Sequence, residues 1–157
     1  MMKKYFIFTD IHGFYDLLKA KLDEVGFDIN NENHIFVSAG DLFDRGDKPF
    51  DCVKFVNDLP ENRKILIRGN HEDLMEEAIE RGYFMNHDQS NGTILTAMRL
   101  TKSMDYEECL SRMINQPQYQ TYIKSLVDYA EINNYIIVHG WVPIEGLKIH
   151  HNWRKAN

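Results

Sequence analysis

At residues 40–46 the chain reads Gly40-Asp41-Leu42-Phe43-Asp44-Arg45-Gly46. Two carboxylates and one guanidinium stand here between glycines, at the predicted end of a buried strand. Carboxylates hold hard or borderline divalent cations, and the arginine fork binds two oxygens of a phosphate without losing its charge. The stretch therefore indicates a metal and phosphate site where a strand ends.

The segments around this stretch predict an α/β fold. Short apolar strands are expected at residues 4–9, 34–38 and 64–67, and each runs directly into a polar cluster. Helical spacing of apolar residues predicts a helix at about residues 15–25 and another after Pro49. In an open α/β sheet the loops beyond the carboxyl ends of parallel strands share one edge. We therefore expect the polar clusters to meet in space.

The second half of the chain is predicted to carry a helical insert between Met85 and Ala130. A helix follows Glu72, but residues 86–93 are polar and give no assignment. A capping box at Asp105 begins a further helix, which Pro117 ends. Another helix is expected to continue to Ala130 through Tyr119, Tyr122, Ile123, Leu126 and Val127. A last strand at residues 135–138 runs into His139.

Length and composition predict one domain spanning residues 1–157 and lying in the cytoplasm. The chain has 157 residues, and no apolar run approaches the roughly 20 residues that cross a bilayer. The first apolar run is interrupted by Asp10 and His12, which argues against a signal peptide. A formal net charge of −6 argues against broad electrostatic binding to nucleic acid. We therefore expect neither a membrane nor a nucleic-acid partner.

The polar clusters contain the side chains that a metal centre needs. Asp10 and His12 stand two residues apart, so at an extended strand end both would point to one side. Asp41 can bridge two ions, Asn70 offers an amide oxygen and His139 a ring nitrogen. Together these residues suit a dinuclear site. Taken singly, each has a structural explanation as a turn residue, a helix cap or a buried histidine.

Four motifs follow one another along nearly the whole chain: Asp10-x-His12, Gly40-Asp41-x-x-Asp44-Arg45-Gly46, Gly69-Asn70-His71-Glu72 and Val138-His139-Gly140. Their order resembles the calcineurin-like metallophosphoesterases. In particular, it resembles the phosphoprotein-phosphatase branch, which includes small bacterial and phage serine/threonine phosphatases and diadenosine tetraphosphatase. The resemblance implies a metallophosphoesterase-type β-sheet core flanked by helices.

The resemblance also implies a ligand set for two divalent metal ions. Asp10, His12 and Asp41 would hold the first ion, while Asp41, Asn70 and His139 would contribute to the second. Asp41 would be the bridge between them. Manganese, iron and zinc all accept this mixture of carboxylate, imidazole and amide ligands, and manganese is our first expectation.

Three further residues match the family's catalytic positions. His71 corresponds to the general acid that protonates the leaving alkoxide, and Asp44 to the carboxylate that orients it. Arg45 would hold the phosphate oxygens. The chemistry agrees, because an adjacent carboxylate fixes the tautomer of a histidine and favours its protonated form. Glu72 is left out, since a carboxylate in the first turn of a helix also suits the helix dipole.

One motif of the family is missing. After the Val-His-Gly strand the family has an arginine and then a Gly-His pair, which does not occur in the eighteen residues after His139. His150 and His151 are the candidates to replace that histidine, and Arg154 is the candidate to bind substrate phosphate. The chain would then be a truncated member or a fragment, with an incomplete C-terminal sheet and an exposed sheet edge that allows a homodimer.

These observations predict a metal-dependent phosphoesterase acting on a phosphorylated protein, a nucleotide or a small phosphate ester. A metal-activated water would attack phosphorus directly. Because that histidine is missing, we keep a second hypothesis, in which the protein is a weakly active or inactive relic that binds metal or a phosphorylated partner. A nuclease of the wider superfamily is disfavoured by the acidic charge and by the Asp44-Arg45-Gly46 signature.

Overall fold

The computed structural model of the protein describes residues 2–140. Within that range helices and strands alternate in the first half, and helices dominate the second. The elements in chain order are β1 (Lys4–Phe8), α1 (Tyr15–Glu24), β2 (His34–Ala39), α2 (Pro49–Asp58), β3 (Lys64–Ile67), α3 (Asn70–Arg81), α4 (Asn86–Asn91), α5 (Thr93–Thr101), α6 (Tyr106–Met113), α7 (Pro117–Lys124), β4 (Leu126–Val127), β5 (Ala130–Ile132) and β6 (Tyr135–Ile137). The predicted α/β fold class is confirmed.

A parallel sheet forms the centre of the fold. Its strands lie in the order β1-β2-β3-β4, and each neighbouring pair is parallel. Helix α1 connects β1 to β2 and α2 connects β2 to β3, so the predicted β-α-β order is correct. The carboxyl ends of β1, β2 and β3 therefore lie along one edge of the sheet. Their following loops carry the motifs.

The two faces of this sheet are covered differently. Side chains alternate along a strand, so the neighbours Phe36 and Val37 of β2 point to opposite faces. Phe36 belongs to a large cluster with residues of the helices, whereas Val37 packs with Ala130 and Ile132 of the β5–β6 hairpin. Full burial of one such side chain contributes about 1.5–3 kcal/mol. Packing on both faces thus fixes the sheet that carries the loops.

The polar stretch at residues 86–93, for which no element was predicted, is mostly helical. Helix α4 fills most of it, and α5 begins at Thr93. Asp88 caps α4 by accepting a hydrogen bond from the Met85 backbone N–H at 2.7 Å and one from Arg81 at the same distance. Such local caps stabilise a short helix that has no apolar stripe.

The prediction of a helix continuing to Ala130 was wrong. Helix α7 ends at Lys124, and Leu126 and Val127 form β4, which pairs with Leu66 and Ile67 of β3. The helical spacing of apolar residues continues through this region. The backbone of Leu126 and Val127 nevertheless pairs with β3 instead of forming another helical turn. The insert is therefore a group of helices, α4 to α7, returning to the sheet through β4.

The last predicted strand does form, but in a separate sheet. β6 pairs antiparallel with β5, with Ala130 opposite Ile137. His139 therefore approaches the site from this hairpin rather than from a fourth strand of the parallel sheet. The expected incompleteness of the C-terminal sheet concerns residues beyond Gly140, outside the described part of the chain. Among residues 2–140 no helix has the length and apolar character needed to cross a membrane.

Candidate metal and phosphate site

Backbone hydrogen bonds hold the loops after β1 and β2 against each other. The N–H of His12 donates to the carbonyl of Asp41 at 2.9 Å, and the N–H of Gly13 donates to that of Leu42 at 2.8 Å. In return the N–H of Gly46 donates to the carbonyl of His12 at 2.7 Å. These bonds extend the contact between the two strands into their loops, and they bring the first two motifs side by side.

The same loops adopt an unusual backbone conformation. Asp10, His12, Asp41, Asp44 and Arg45 have φ angles of 52°, 49°, 57°, 72° and 63°, in the left-handed region that side-chain-bearing residues seldom occupy. Each such residue costs about 1–3 kcal/mol and persists only where surrounding contacts impose it, most often at functional sites. The concentration of left-handed residues in these two loops points to function.

Asp10 and His12 lie close together, but with a backbone conformation different from the predicted one. They do not lie on an extended strand end, because both are left-handed. The carboxylate of Asp10 nevertheless lies 3.7 Å from Nε2 of His12. The Asp10 side chain is 54% exposed, whereas that of His12 is buried, so Asp10 forms the open side of this pair.

Asp41 lies at the centre of the site. Its Oδ2 atom is 3.8 Å from Nε2 of His12, and its Oδ1 atom is 3.4 Å from Nε2 of His139. Oδ1 also accepts a hydrogen bond from the backbone N–H of His71 at 3.1 Å. The two oxygens of one buried carboxylate therefore face two different groups of ligand atoms, as a bridging ligand would.

Two histidines have their tautomers fixed by backbone carbonyls. Nδ1 of His12 lies 3.1 Å from the carbonyl of Phe43, and Nδ1 of His139 lies 2.8 Å from that of Ala39. A carbonyl only accepts hydrogen bonds, so in a neutral imidazole Nδ1 carries the proton and Nε2 presents a lone pair. This is the arrangement found in metal-ligating histidines.

The ligand atoms around Asp41 form a set that a divalent cation can bind. Nε2 of His139 lies 3.0 Å from Oδ1 of Asn70, so two atoms that carry lone pairs face each other beside the Asp41 carboxylate. On the other side, ligand atoms of His12, Asp41 and His71 lie within 4.8 Å of one another. Imidazole nitrogen, carboxylate oxygen and amide oxygen together are a donor set for divalent metals.

His71 is held by Asp44. Its Nδ1 atom lies 2.7 Å from Oδ2 of Asp44, and both side chains are almost completely buried. Burial lowers the pKa of His71, but the Asp44 hydrogen bond and the negative charges of Asp41 and Asp44 outweigh it, so the pKa lies above its ordinary value. Burial is also the largest influence on His12, whose pKa is lowered, with Arg45 and His71 contributing. Two adjacent histidines are thus shifted in opposite directions.

Arg45 occupies the space between the two histidines. Its Nη1 and Nη2 atoms lie 2.8 Å from Nε2 of His12 and 3.2 Å from Nε2 of His71. The two imidazole rings meet edge to face at a centroid distance of 4.7 Å. The guanidinium is therefore already within the site, where it can hold an anion between the rings.

Glu72 has a larger role than a first-turn carboxylate. It is completely buried, and its two oxygens accept hydrogen bonds from the backbone N–H groups of Asp41, Leu42 and Gly69. Oε1 also accepts from the hydroxyl of Tyr122 at 2.8 Å. Burial raises the pKa of Glu72, while these hydrogen bonds oppose the shift. Its position in the motif gives no signal of this network, which depends on α7.

Helix α5 contributes two more residues that the sequence did not indicate. The Thr96 hydroxyl accepts a hydrogen bond from the Asp44 backbone N–H at 3.0 Å, and the Thr93 hydroxyl donates to Oδ2 of Asp44 at 2.7 Å. Both threonines are buried. They lie in or next to the polar stretch without a predicted element, so nothing in the sequence placed them at the site.

Most of the residues expected at the site lie together in the structure. Asp10, His12, Asp41, Asp44, Arg45, Asn70, His71 and His139 are linked through the contacts given above. Arg154, expected to bind phosphate, and His150 and His151, considered as replacement ligands, lie outside the described residues.

The calcineurin-like phosphoesterase family matches residues 3–156 of the chain. A symmetrical bis(5'-nucleosyl)-tetraphosphatase of Psychromonas ingrahamii is 30% identical over 137 residues, which cover 87% of this chain and 44% of that protein. Serine/threonine-protein phosphatase 1 of Salmonella typhimurium is 38% identical over 69 residues, covering 44% of this chain and 30% of that protein. The chain thus spans less than half the length of these curated relatives.

Solved structures show the same fold. A metallophosphoesterase from Sphaerobacter thermophilus superposes with a TM-score of 0.57 at 24% identity, covering 87% of this chain and 46% of that one. A cold-active protein-tyrosine phosphatase of Shewanella gives a TM-score of 0.58 at 22% identity, covering 90% of this chain and 43% of that one. With its motifs, its fold and a match over nearly all its residues, the chain belongs to the calcineurin-like phosphoesterase family.

Proposed function

We propose that the protein hydrolyses phosphate esters at a site that holds two divalent metal ions. The observation that carries the proposal is the position of Asp41. Its two oxygens face Nε2 of His12 on one side and Nε2 of His139 on the other, at 3.8 Å and 3.4 Å. Family membership supports the same chemistry.

The proposed ligands form two groups that share Asp41. Asp10 and His12 complete the first group, and Asn70 and His139 complete the second. Divalent ions held there would supply positive charge to phosphoryl oxygens and would lower the pKa of a water nucleophile. Manganese is our first expectation because the donors are mixed oxygen and nitrogen, and iron or zinc also accepts them.

The other residues of the site bind the substrate and move a proton. Arg45 is proposed to hold phosphate oxygens, because its guanidinium lies between the two imidazole rings and keeps its charge. His71 is proposed to give a proton from Nε2 to the leaving oxygen, after Arg45, whose Nη2 lies 3.2 Å from that nitrogen, has turned to the phosphate, while Asp44 holds Nδ1 at 2.7 Å. The raised pKa of His71 suits a proton donor, and the lowered pKa of His12 suits a neutral ligand.

The proposed substrates are nucleotide esters or phosphorylated proteins. Relatives of this chain are named bis(5'-nucleosyl)-tetraphosphatase and serine/threonine-protein phosphatase. Both classes present a phosphate that Arg45 and a metal pair can bind. Diadenosine tetraphosphate, a phosphoserine peptide and p-nitrophenyl phosphate, assayed side by side, would distinguish them.

The proposal predicts that Asp41→Asn strongly lowers turnover. The protein is purified, treated with EDTA and assayed with p-nitrophenyl phosphate as Mn²⁺ is added back. Turnover should depend on Mn²⁺, and Asp41→Asn should lower kcat by at least about a hundredfold, because it weakens both ligand groups at once. Calorimetry on the same samples measures how many equivalents of Mn²⁺ bind.

Asp88→Asn is the matched control. Asp88 is as buried as Asp41 but caps α4, so its loss should leave Mn²⁺-dependent turnover within about threefold of wild type. Equal turnover in the wild type and Asp41→Asn would refute the proposal. Mn²⁺ binding with no turnover on any substrate would instead favour a binding protein.

Two finer expectations stay predictions. β1 lies at the edge of the four-stranded sheet in the described part of the chain, and Ile7 on it is 47% exposed, which suits pairing with a second copy. Size-exclusion chromatography with light scattering tests this homodimer. Residence in the cytoplasm is the second, and cell fractionation tests it.

A further inference from the structure

We propose that Thr93 is a positioning residue for the proton transfer, acting on His71 through Asp44. This inference rests on the proposed function, since it assigns His71 the role of proton donor. Its basis is a chain of two hydrogen bonds that share one atom. The Thr93 hydroxyl and Nδ1 of His71 each lie 2.7 Å from Oδ2 of Asp44.

The Asp44 carboxylate depends on Thr93 for its orientation. Asp44 is fully buried, and its other oxygen, Oδ1, has no hydrogen-bond partner among residues 2–140. Without the Thr93 hydroxyl, His71 would be the one remaining side-chain donor to this carboxylate in the described structure. The carboxylate could then rotate about its last torsion, which is intrinsically soft. The imidazole would lose its fixed direction with it.

Contacts at the start of helix α5 hold Thr93 in this position. Thr93 is its first residue and is fully buried. Gly92 precedes it with a φ of +89°, and a Cβ there would lie 2.5 Å from the backbone nitrogen of Arg45. One turn later, the Thr96 hydroxyl binds the Asp44 N–H at 3.0 Å. The start of α5 is thus fastened to both the backbone and the side chain of Asp44.

This arrangement makes a chemical prediction about leaving groups. A poor leaving group needs the proton that His71 gives, whereas p-nitrophenolate leaves with little protonation. Loss of the Thr93 hydroxyl should therefore slow hydrolysis of phenyl phosphate more than hydrolysis of p-nitrophenyl phosphate. The KM values should change little, because Thr93 is buried and its hydroxyl binds Asp44.

The test compares Thr93→Val, Thr93→Ser and Thr101→Val with wild type on both substrates. Thr93→Val keeps the shape but removes the hydroxyl, and should lower kcat for phenyl phosphate about tenfold, but for p-nitrophenyl phosphate by less than about threefold. Thr93→Ser restores the donor and should recover wild-type selectivity. Thr101→Val makes the same change in the same helix, where the buried hydroxyl donates to the carbonyl of Ala97, and should behave as wild type.

A second readout does not depend on activity. In samples with ¹⁵N-labelled histidine, the proton on Nδ1 of His71 should give a downfield signal, assigned by its loss in His71→Gln. That signal should shift or broaden in Thr93→Val and persist in Thr93→Ser and Thr101→Val. If the wild type lacks metal-dependent turnover, the proposed function fails while this signal still tests the contact.

Several results would overturn the inference. An unchanged His71 signal in Thr93→Val would show that the hydroxyl does not position the ring. Equal losses of kcat on both substrates, or the same loss in Thr101→Val, would show a general effect on folding rather than on proton transfer.

Discussion

At the scale of single residues, Gly92 and Gly82 show two separate reasons for a glycine: a left-handed backbone conformation and close approach to a neighbouring backbone. Both end a helix in the left-handed region, with φ angles of +89° and +75°. A Cβ on Gly92 would lie 2.5 Å from the backbone nitrogen of Arg45, whereas a Cβ on Gly82 would meet nothing within 4 Å. Gly82 is therefore needed for backbone conformation alone, and Gly92 also for close approach to the site.

We expect Gly82→Ala and Gly92→Ala to differ in stability and in activity. Gly82→Ala should lower the free energy of unfolding by about 1–2 kcal/mol, the cost of a left-handed alanine. Gly92→Ala should cost at least about 1 kcal/mol more, because the methyl group must push the Arg45 backbone away. Urea denaturation followed by circular dichroism measures both.

Gly82→Ala and Gly92→Ala should also differ in turnover. Displacing Arg45 should lower activity in Gly92→Ala, while Gly82→Ala should keep wild-type kcat and KM at a temperature where it is folded. Equal losses of stability and equal activities in the two variants would contradict the close contact between α5 and Arg45.

At the scale of elements, a hydrogen bond from the Tyr122 hydroxyl joins α7 to the site. Tyr122 donates to Glu72, whose oxygens accept from the backbone of the loops after β2 and β3. Tyr119, three residues earlier on the same helix, is equally buried, but its hydroxyl has no hydrogen-bond partner in the described structure. Helix α7 therefore carries a bonded tyrosine and an unbonded one side by side.

We expect Tyr122→Phe to lower the free energy of unfolding by about 1–3 kcal/mol, because it removes a donor from a buried carboxylate. Tyr119→Phe should be neutral or slightly stabilising, since it removes a hydroxyl that is buried without a partner. Chemical denaturation of both variants checks the difference. A cost for Tyr119→Phe equal to that for Tyr122→Phe would refute the assigned network.

Sequence reasoning located those parts of the site that are local in the chain. Asp10, Asp41 and His71 follow apolar segments directly, so a strand-end rule finds them without knowledge of packing. Glu72 and Thr93 matter through contacts with residues 30 and 49 positions away, and no local pattern marks them. Prediction of the fold is limited in the same way by contacts between residues that are distant in the chain.

The errors in the predicted fold have the same physical origin. The β-α-β half was predicted because its periodicities differ clearly between strand and helix. The end of α7 was misplaced because Leu126 and Val127 fit a helical stripe, yet β3 offers them a free edge. The helices at residues 86–101 were missed in part because α4 has capping residues and no apolar stripe.

At the scale of the whole molecule, metal binding should stabilise the fold. The proposed ligands come from the loops after β1, β2 and β3 and from the hairpin, so an ion would connect both sheets. A ligand that binds only the folded state stabilises it by mass action, by about 2.7 kcal/mol at a hundredfold excess over Kd. For a chain of this length that corresponds to a rise in Tm of about 5–10 °C.

Thermal unfolding with and without Mn²⁺ measures this effect. The wild type and Asp88→Asn should both show the rise, EDTA should reverse it, and Asp41→Asn should show little of it. An equal rise in Asp41→Asn would mean that Mn²⁺ binds elsewhere.

The contacts of His139 also have a consequence for how the molecule folds. They join it to Asn70 and Ala39, which are 69 and 100 positions away in the chain. Loop closure over such separations costs more entropy than local contacts do, so we expect these contacts to form late, after the central sheet has paired. The newly made chain should therefore pass through forms that already have β1, β2 and β3 but cannot yet bring His139 to Asp41. The site is completed only when the last described residues reach the centre of the protein.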